Sequence, residues 1–224
     1  MSNSQSPFPL IRHLSRAVTP LLMALPFTAN QVTAASLLAG LGSAWMAAQG
    51  TARGNVWAGL LMVLCYVLDN CDGDVARAKN LSSRLGHYFD SVADWLVDSA
   101  FFAGLGVGTA AETGDDLWLW LGLAASGGAT VSYLLELGHD LSNARALRRS
   151  GAEPEVPPLS DAPPANWREA FVYAFRELSR ADFCFIVLIL VAVDQLWILL
   201  PLGAIGAQVY WLTSLVVGWR RFHV

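Results

Sequence analysis

The stretch from Asp69 to Asp94, DNCDGDVARAKNLSSRLGHYFDSVAD, constrains this chain more than any other. It sets Asp69, Asp72, Asp90 and Asp94 between apolar runs of membrane-spanning length. Ionisable side chains in such surroundings are costly and mark function by default. The spacing reads as two helix ends. Asp69 and Asp72, three residues apart, share one face; Gly86, Asp90 and Asp94 step by four and share another. The polar run Asp74 to Arg84 is expected to reverse the chain, laying the two ends side by side so that four carboxylates converge. Such a cluster repels itself unless cations occupy it. Hard oxygen donors of this kind suit Mg²⁺ or Mn²⁺. Two ions about 3.5–4 Å apart would match a site for displacement at phosphorus.

Composition sets the solvent. The chain is 54% hydrophobic and only 14% charged, against about 25% charged in soluble domains; its mean hydropathy is +0.44. This predicts an all-α integral membrane protein of one domain over residues 1–224. Residues 1–27 form an interfacial N-terminal segment, and residues 28–224 a bundle of six transmembrane helices. Ile11 to Leu25 mixes Arg12, His13 and Arg16 with Leu14, Val18, Leu21 and Leu22, the pattern of an amphipathic helix lying in the membrane interface. Thr28 or Asn30 caps the first span. Apolar runs of span length fall at about residues 31–49, 56–70, 85–110, 117–137, 183–193 and 196–218. The fourth continues as helix past Arg149, and a loop rich in proline and acid follows, Gly151 to Trp167. With this layout thirteen of the fourteen Lys and Arg residues fall on one face and only Arg53 on the other. The positive-inside rule makes the first face cytoplasmic, and both termini and both carboxylate pairs lie there. A bacterial cytoplasmic membrane is the expected location, with no nucleic-acid partner. Cys65, Cys71 and Cys184 lie in or beside apolar runs and read as buried thiols, not a disulfide framework. The four histidines show no ligand pairing.

Written D-x2-D-G-x2-A-R-x8-G-x3-D-x3-D, the stretch supplies Asp69, Asp72, Gly73, Ala76, Arg77, Gly86, Asp90 and Asp94. This resembles the signature of the CDP-alcohol phosphotransferases (CDP-alcohol phosphatidyltransferases), integral membrane enzymes of phospholipid synthesis, at all eight positions without a gap. TANQVT, Thr28 to Thr33, is more weakly similar to a segment before the first span of many members. The resemblance implies transfer of a phosphatidyl or similar phosphoryl-alcohol group from a CDP-linked donor, such as CDP-diacylglycerol, to an acceptor hydroxyl, with release of CMP. It implies two divalent ions, Mg²⁺ or Mn²⁺, on Asp69, Asp72, Asp90 and Asp94, with Asp94 as base, and CDP at the motif residues. It also implies a homodimer. Physical reasoning agrees with these roles. Gly73 and Ala76 lack bulk where a nucleotide approaches the backbone, and Gly86 leaves room on the carboxylate face. Arg77 offers a fork to phosphate, and Asp94, one turn deeper, can accept the acceptor's proton. Asn30, Thr33 and Ser83 are further candidates for the nucleotide site.

Arg145, Arg149 and Arg180, near the cytoplasmic ends of the fourth and fifth spans, point to an anionic acceptor. A polyol phosphate such as glycerol phosphate or inositol phosphate fits. Topology alone would also place arginines there. Asp98 continues the series by four, about 6 Å beyond Asp94 along the helix. It is expected inside the polar cavity, outside the metal shell, in a structural contact between spans. Two rival functions use the same residue types. A membrane prenyltransferase also puts aspartates and Mg²⁺ on a diphosphate but lacks the D-G-x2-A-R core. A transporter or scaffold would hold a cation without turnover.

Overall fold

In the computed structural model the described residues are 10–81, 83–150 and 182–221, and their regular structure is helical throughout. Helix α1 spans Ile11–Ala24, α2 Ala29–Ala47, α3 Ala52–Ala78, α4 Arg84–Thr113, α5 Leu117–Ser150, α6 Phe183–Ala192 and α7 Leu199–Arg221, with one 3-10 turn, Leu196–Ile198, before α7. The caps are local. Thr28 and Gln31 form a capping box at the start of α2. The Thr51 and Ser83 hydroxyls accept from Gly54 N and Gly86 N, each at 3.0 Å, at the starts of α3 and α4. Gly114, at φ 72, ends α4 in the left-handed region where a side chain would be strained.

Two expectations about the chain reversal change. Helix α3 does not stop near Asn70; it carries the whole first half of the motif and ends at Ala78. The stop is a Schellman arrangement. Asn80 takes φ 54, Leu81 N donates to Ala76 O at 2.8 Å, and Asn80 N to Arg77 O at 3.3 Å. The reversal is therefore the short segment 79–83, not the longer run Asp74 to Arg84. Helix α2 packs on both α3 and α4, and their ends come side by side so that the carboxylates of the two helices meet.

The wedge is held by small residues. A Cβ on Gly104 would lie 2.4 Å from Ala44 O, and one on Gly108 2.1 Å from Ala47 O, so the α2 and α4 backbones touch. The Ser43 hydroxyl of α2 donates to Ala58 O of α3 at 2.7 Å. Met62, Phe101, Leu105, Val187 and Leu200 fill the core between the helices.

Helix α1 docks on α3. It turns Ile11, Ser15 and Thr19 inward and leaves Leu14, Leu21 and Met23 exposed. Helices Ala52–Ala78 and Leu117–Ser142 are long and apolar enough to cross a membrane. Phe183–Ala192 is shorter, about 15 Å, and the approach expected before it lies outside the described residues, as does the loop Gly151 to Trp167.

Candidate active site

The site forms where the C-terminal end of α3 meets the N-terminal end of α4. Asp69 and Asp72 come from α3 and Asp90 from α4, and one carboxylate oxygen of each lies within 4.8 Å of the others. Asp72 is 6% exposed, and its Oδ2 accepts a hydrogen bond from the Thr33 hydroxyl of α2. Oδ1 of Asp90 is buried and, among the described residues, has no hydrogen-bond partner. Buried polar atoms are almost always paired, so an orphan oxygen inside a carboxylate triad leaves a place for a cation. The donor set, three hard carboxylates, is that of Mg²⁺ or Mn²⁺.

Beside the triad opens a cavity of about 330 Å³. Its walls include Asp69, Asp72 and Asp90, Gly73 and Arg77 of the motif, and two residues of α1, Arg12 and Arg16. Arg77 is exposed and paired with Asp74, one turn before it on α3. Its guanidinium lies across Gly73, 3.3 Å from where a Cβ would stand; a side chain there would crowd the arginine.

The other predicted residues surround this centre at different removes. Asp94 is on the expected face of α4, exposed and in side-chain contact with Asp69, but it stands outside the three-carboxylate group. Thr33, expected at the nucleotide site, has its hydroxyl on Asp72. Asn30 and Ser83 converge on Gly86, whose missing Cβ would lie 3.3 Å from Asn30 Oδ1 and 3.1 Å from Ser83 Oγ. Ser83 also caps α4. The Ala76 carbonyl closes the end of α3. Asp98 is half-buried and outside the triad, on a face near Cys65 and Tyr66 of α3. The side chains of Arg145 and Arg149, at the end of α5, and all of Arg180 lie outside the described residues.

Sequence reasoning missed the part played by α1. Cys71, inside the motif, is fully buried; its thiol accepts from the Thr19 hydroxyl at 3.4 Å and donates to Ser15 O at 3.5 Å. It fastens α1 to α3 next to the triad. The signal available was the four-residue step from Arg12 to Arg16, which puts both on one face.

Comparison with known proteins agrees with this geometry. The family model of the CDP-alcohol phosphatidyltransferases matches residues 26–138, half of the chain. A bifunctional IPC transferase and DIPP synthase of Aquifex aeolicus is 35% identical over 57% of this chain and 28% of its own length. One of Thermococcus kodakarensis is 36% identical over 56% of this chain and 28% of its own. The match thus spans less than a third of these relatives. Members move a substituted phosphoryl group from a CDP-linked donor to an alcohol acceptor, and the aspartate cluster suits the divalent ions the family typically needs. With the eight-residue motif in place and the triad assembled, the chain is an enzyme of the CDP-alcohol phosphatidyltransferase family.

Proposed function

We infer that this enzyme transfers a phosphatidyl or similar group from a CDP-linked donor such as CDP-diacylglycerol to the hydroxyl of a phosphorylated polyol, releasing CMP, in phospholipid synthesis. The observation that carries the reading is the triad of Asp69, Asp72 and Asp90, with its unpartnered oxygen, opening into a cavity that also holds arginines. Asp69, Asp72 and Asp90 would hold the divalent ions. When bound, these would neutralise the diphosphate and the charge that leaves on CMP. Asp94, exposed and beside Asp69, takes the proton of the acceptor hydroxyl. The acceptor oxygen then bonds to the phosphorus that carries the lipid alcohol, and the bond from that phosphorus to the CMP phosphate oxygen breaks. Gly73, Ala76, Arg77, Gly86, Asn30 and Ser83 border the nucleotide; Arg145, Arg149 and Arg180 are the acceptor's anion contacts.

The same reading places the chain in a bacterial cytoplasmic membrane, as a homodimer. Its six spans are α2, α3, α4, α5, α6 with its approach, and α7, and the site faces the cytoplasm. Outward-facing Leu38, Trp45, Trp57 and Trp120 support a lipid surround, since soluble monomers rarely expose large contiguous apolar surface. Relatives named as a transferase joined to a synthase agree with group transfer.

The test is turnover. Purified protein is incubated with Mg²⁺, CDP-diacylglycerol and, in turn, glycerol phosphate, inositol phosphate, inositol and serine, and CMP and the new lipid are identified. Metal-dependent CMP release with a phosphorylated acceptor is expected. Robust activity only with a neutral acceptor would overturn the acceptor assignment. Diphosphate release from a prenyl donor, with none of CMP, would overturn the reaction.

A further inference from the structure

Helix α1 is fixed to the bundle by charge at both ends. At its start the fully buried Asp182, from the residue preceding α6, accepts from Leu10 N and Ile11 N, both at 2.8 Å. A carboxylate there meets the unpaired amides and the positive end of the helix dipole. Just past its other end Lys79 Nζ, from the end of α3, donates to Leu25 O at 3.0 Å and Phe27 O at 2.7 Å. Between them Cys71 holds Ser15 and Thr19. Three attachments from two different helices and their flanks are more than a helix floating in the interface needs.

What this fixing presents to the site is Arg12 and Arg16. They share a face and line the cavity that holds the triad. Leu14 and Leu21, on the opposite face of α1, are exposed, so contact with lipid tails does not require the arginines. Among the described residues neither arginine has a carboxylate at ion-pair distance; Asp74, the nearest acid in sequence to Arg77, is taken by Arg77. Two guanidinium groups with no ion-pair partner among the described residues therefore share one cavity with the Arg77–Asp74 pair and with the three carboxylates of the triad. A phosphate between them completes both sets, since it bridges metal ions on one side and accepts paired N–H bonds from arginine on the other.

We propose that α1 is a substrate-binding element, in which Arg12 and Arg16 form a phosphate-docking wall and Asp182 is the positioning residue that holds it. The proposal rests on the transferase reading. The ligand is a phosphate group, carried by the nucleotide donor's diphosphate or by the acceptor.

Calorimetric titration of the full chain in detergent, with Mg²⁺ present, tests it with CDP, cytidine and glycerol phosphate as probes. The double variant Arg12→Gln/Arg16→Gln is expected to lose about tenfold or more in affinity for a phosphate-bearing probe, because charge-assisted bonds are the strong ones. Loss on CDP but not cytidine assigns the donor diphosphate; loss on glycerol phosphate with CDP unchanged assigns the acceptor. Asp182→Asn should weaken the same probe by a smaller factor. Arg12→Lys/Arg16→Lys should recover part of it, and Arg53→Gln, at the other end of α3, should change nothing. Lysine recovery separates lost charge from a misfolded helix. If the wild type binds CDP and the double glutamine variant binds CDP and glycerol phosphate within twofold of it, the docking wall is refuted and the transferase reading stands. If the wild type itself binds no CDP with Mg²⁺, the transferase reading falls and the docking wall with it.

Discussion

Replacing Thr33 by valine isolates one link between α2 and the metal-binding triad. Thr33 is 3% exposed and Asp72 6%, so water does not readily replace the hydroxyl that donates to Asp72 Oδ2. Valine keeps the branched shape and removes the donor. The contact to Ala29 O, at 3.2 Å, is lost as well, but that carbonyl is also in reach of helix-internal donors. A hydrogen bond to a charged group contributes about 1.5–3 kcal/mol, which is roughly ten- to a hundredfold in binding. Groups that orient a metal ligand typically account for the same 10–100-fold in metal affinity. The half-saturating Mn²⁺ concentration for CMP release should therefore rise by that factor in Thr33→Val and stay near wild type in Thr33→Ser, which keeps the hydroxyl. A value for Thr33→Val within twofold of wild type would refute the idea that Thr33 orients Asp72. Weakened CDP affinity with unchanged Mn²⁺ dependence would return Thr33 to the nucleotide.

Asp94→Asn should leave CDP binding and metal affinity largely intact while lowering turnover by a hundredfold or more, the scale of general-base catalysis; near-normal turnover would remove Asp94 from the base role. Gly108→Ala puts a Cβ 2.1 Å from Ala47 O, and overpacking of this kind costs about 1–3 kcal/mol. A clear fall in the thermal midpoint of the detergent-solubilised protein is expected, and an unchanged midpoint would contradict the close α2–α4 contact. Asp98→Asn should keep metal affinity and reduce turnover only modestly; loss of metal would extend the site one turn along α4.

The motif was legible because its chemistry is local. A helical step of four fixes which residues of α4 share a face without reference to the rest of the chain, and the starts of α2, α3 and α4 are written in Thr28, Thr51 and Ser83. The same step puts Asp94 on the face of Asp90, about 6 Å further along the axis, where it meets Asp69 at the side of the triad. The length of the reversal depended on Asn80 adopting a left-handed conformation, which asparagine tolerates but does not announce. The docking of α1 was not legible at all. Its clamp joins Leu10 and Ile11 to Asp182, more than 170 residues away, and no periodicity spans that distance. Arg12 and Arg16 read as topology because their basic charge and position satisfy the positive-inside rule equally well.

The placement of the packing explains how a chain can hold such a site. Two ionised carboxylates with oxygens within 4.8 Å repel by about 3 kcal/mol or more at an effective dielectric constant near 20. With all three ionised, the state a metal site requires, the three pairs would reach about 10 kcal/mol, comparable with the entire stability of a typical domain. That repulsion acts to splay the ends of α3 and α4. Resistance has to come from elsewhere, and α2 supplies it. Its Ala44 and Ala47 carbonyls meet Gly104 and Gly108 of α4, and its Ser43 binds Ala58 of α3. These contacts lie more than two helical turns along α2 from Thr33, toward the opposite end of the bundle. Rigid helices transmit the constraint to the aspartates as a fixed separation. Cations entering the triad then find their ligands already gathered, and the repulsion they relieve adds to their affinity. Loosening the glycine contacts should therefore weaken metal binding as well as the fold. Gly104→Ala, whose Cβ would lie 2.4 Å from Ala44 O, should raise the Mn²⁺ requirement in protein that is still folded. A variant that lost stability but kept the wild-type Mn²⁺ dependence would show that the triad is held locally, by Thr33 alone.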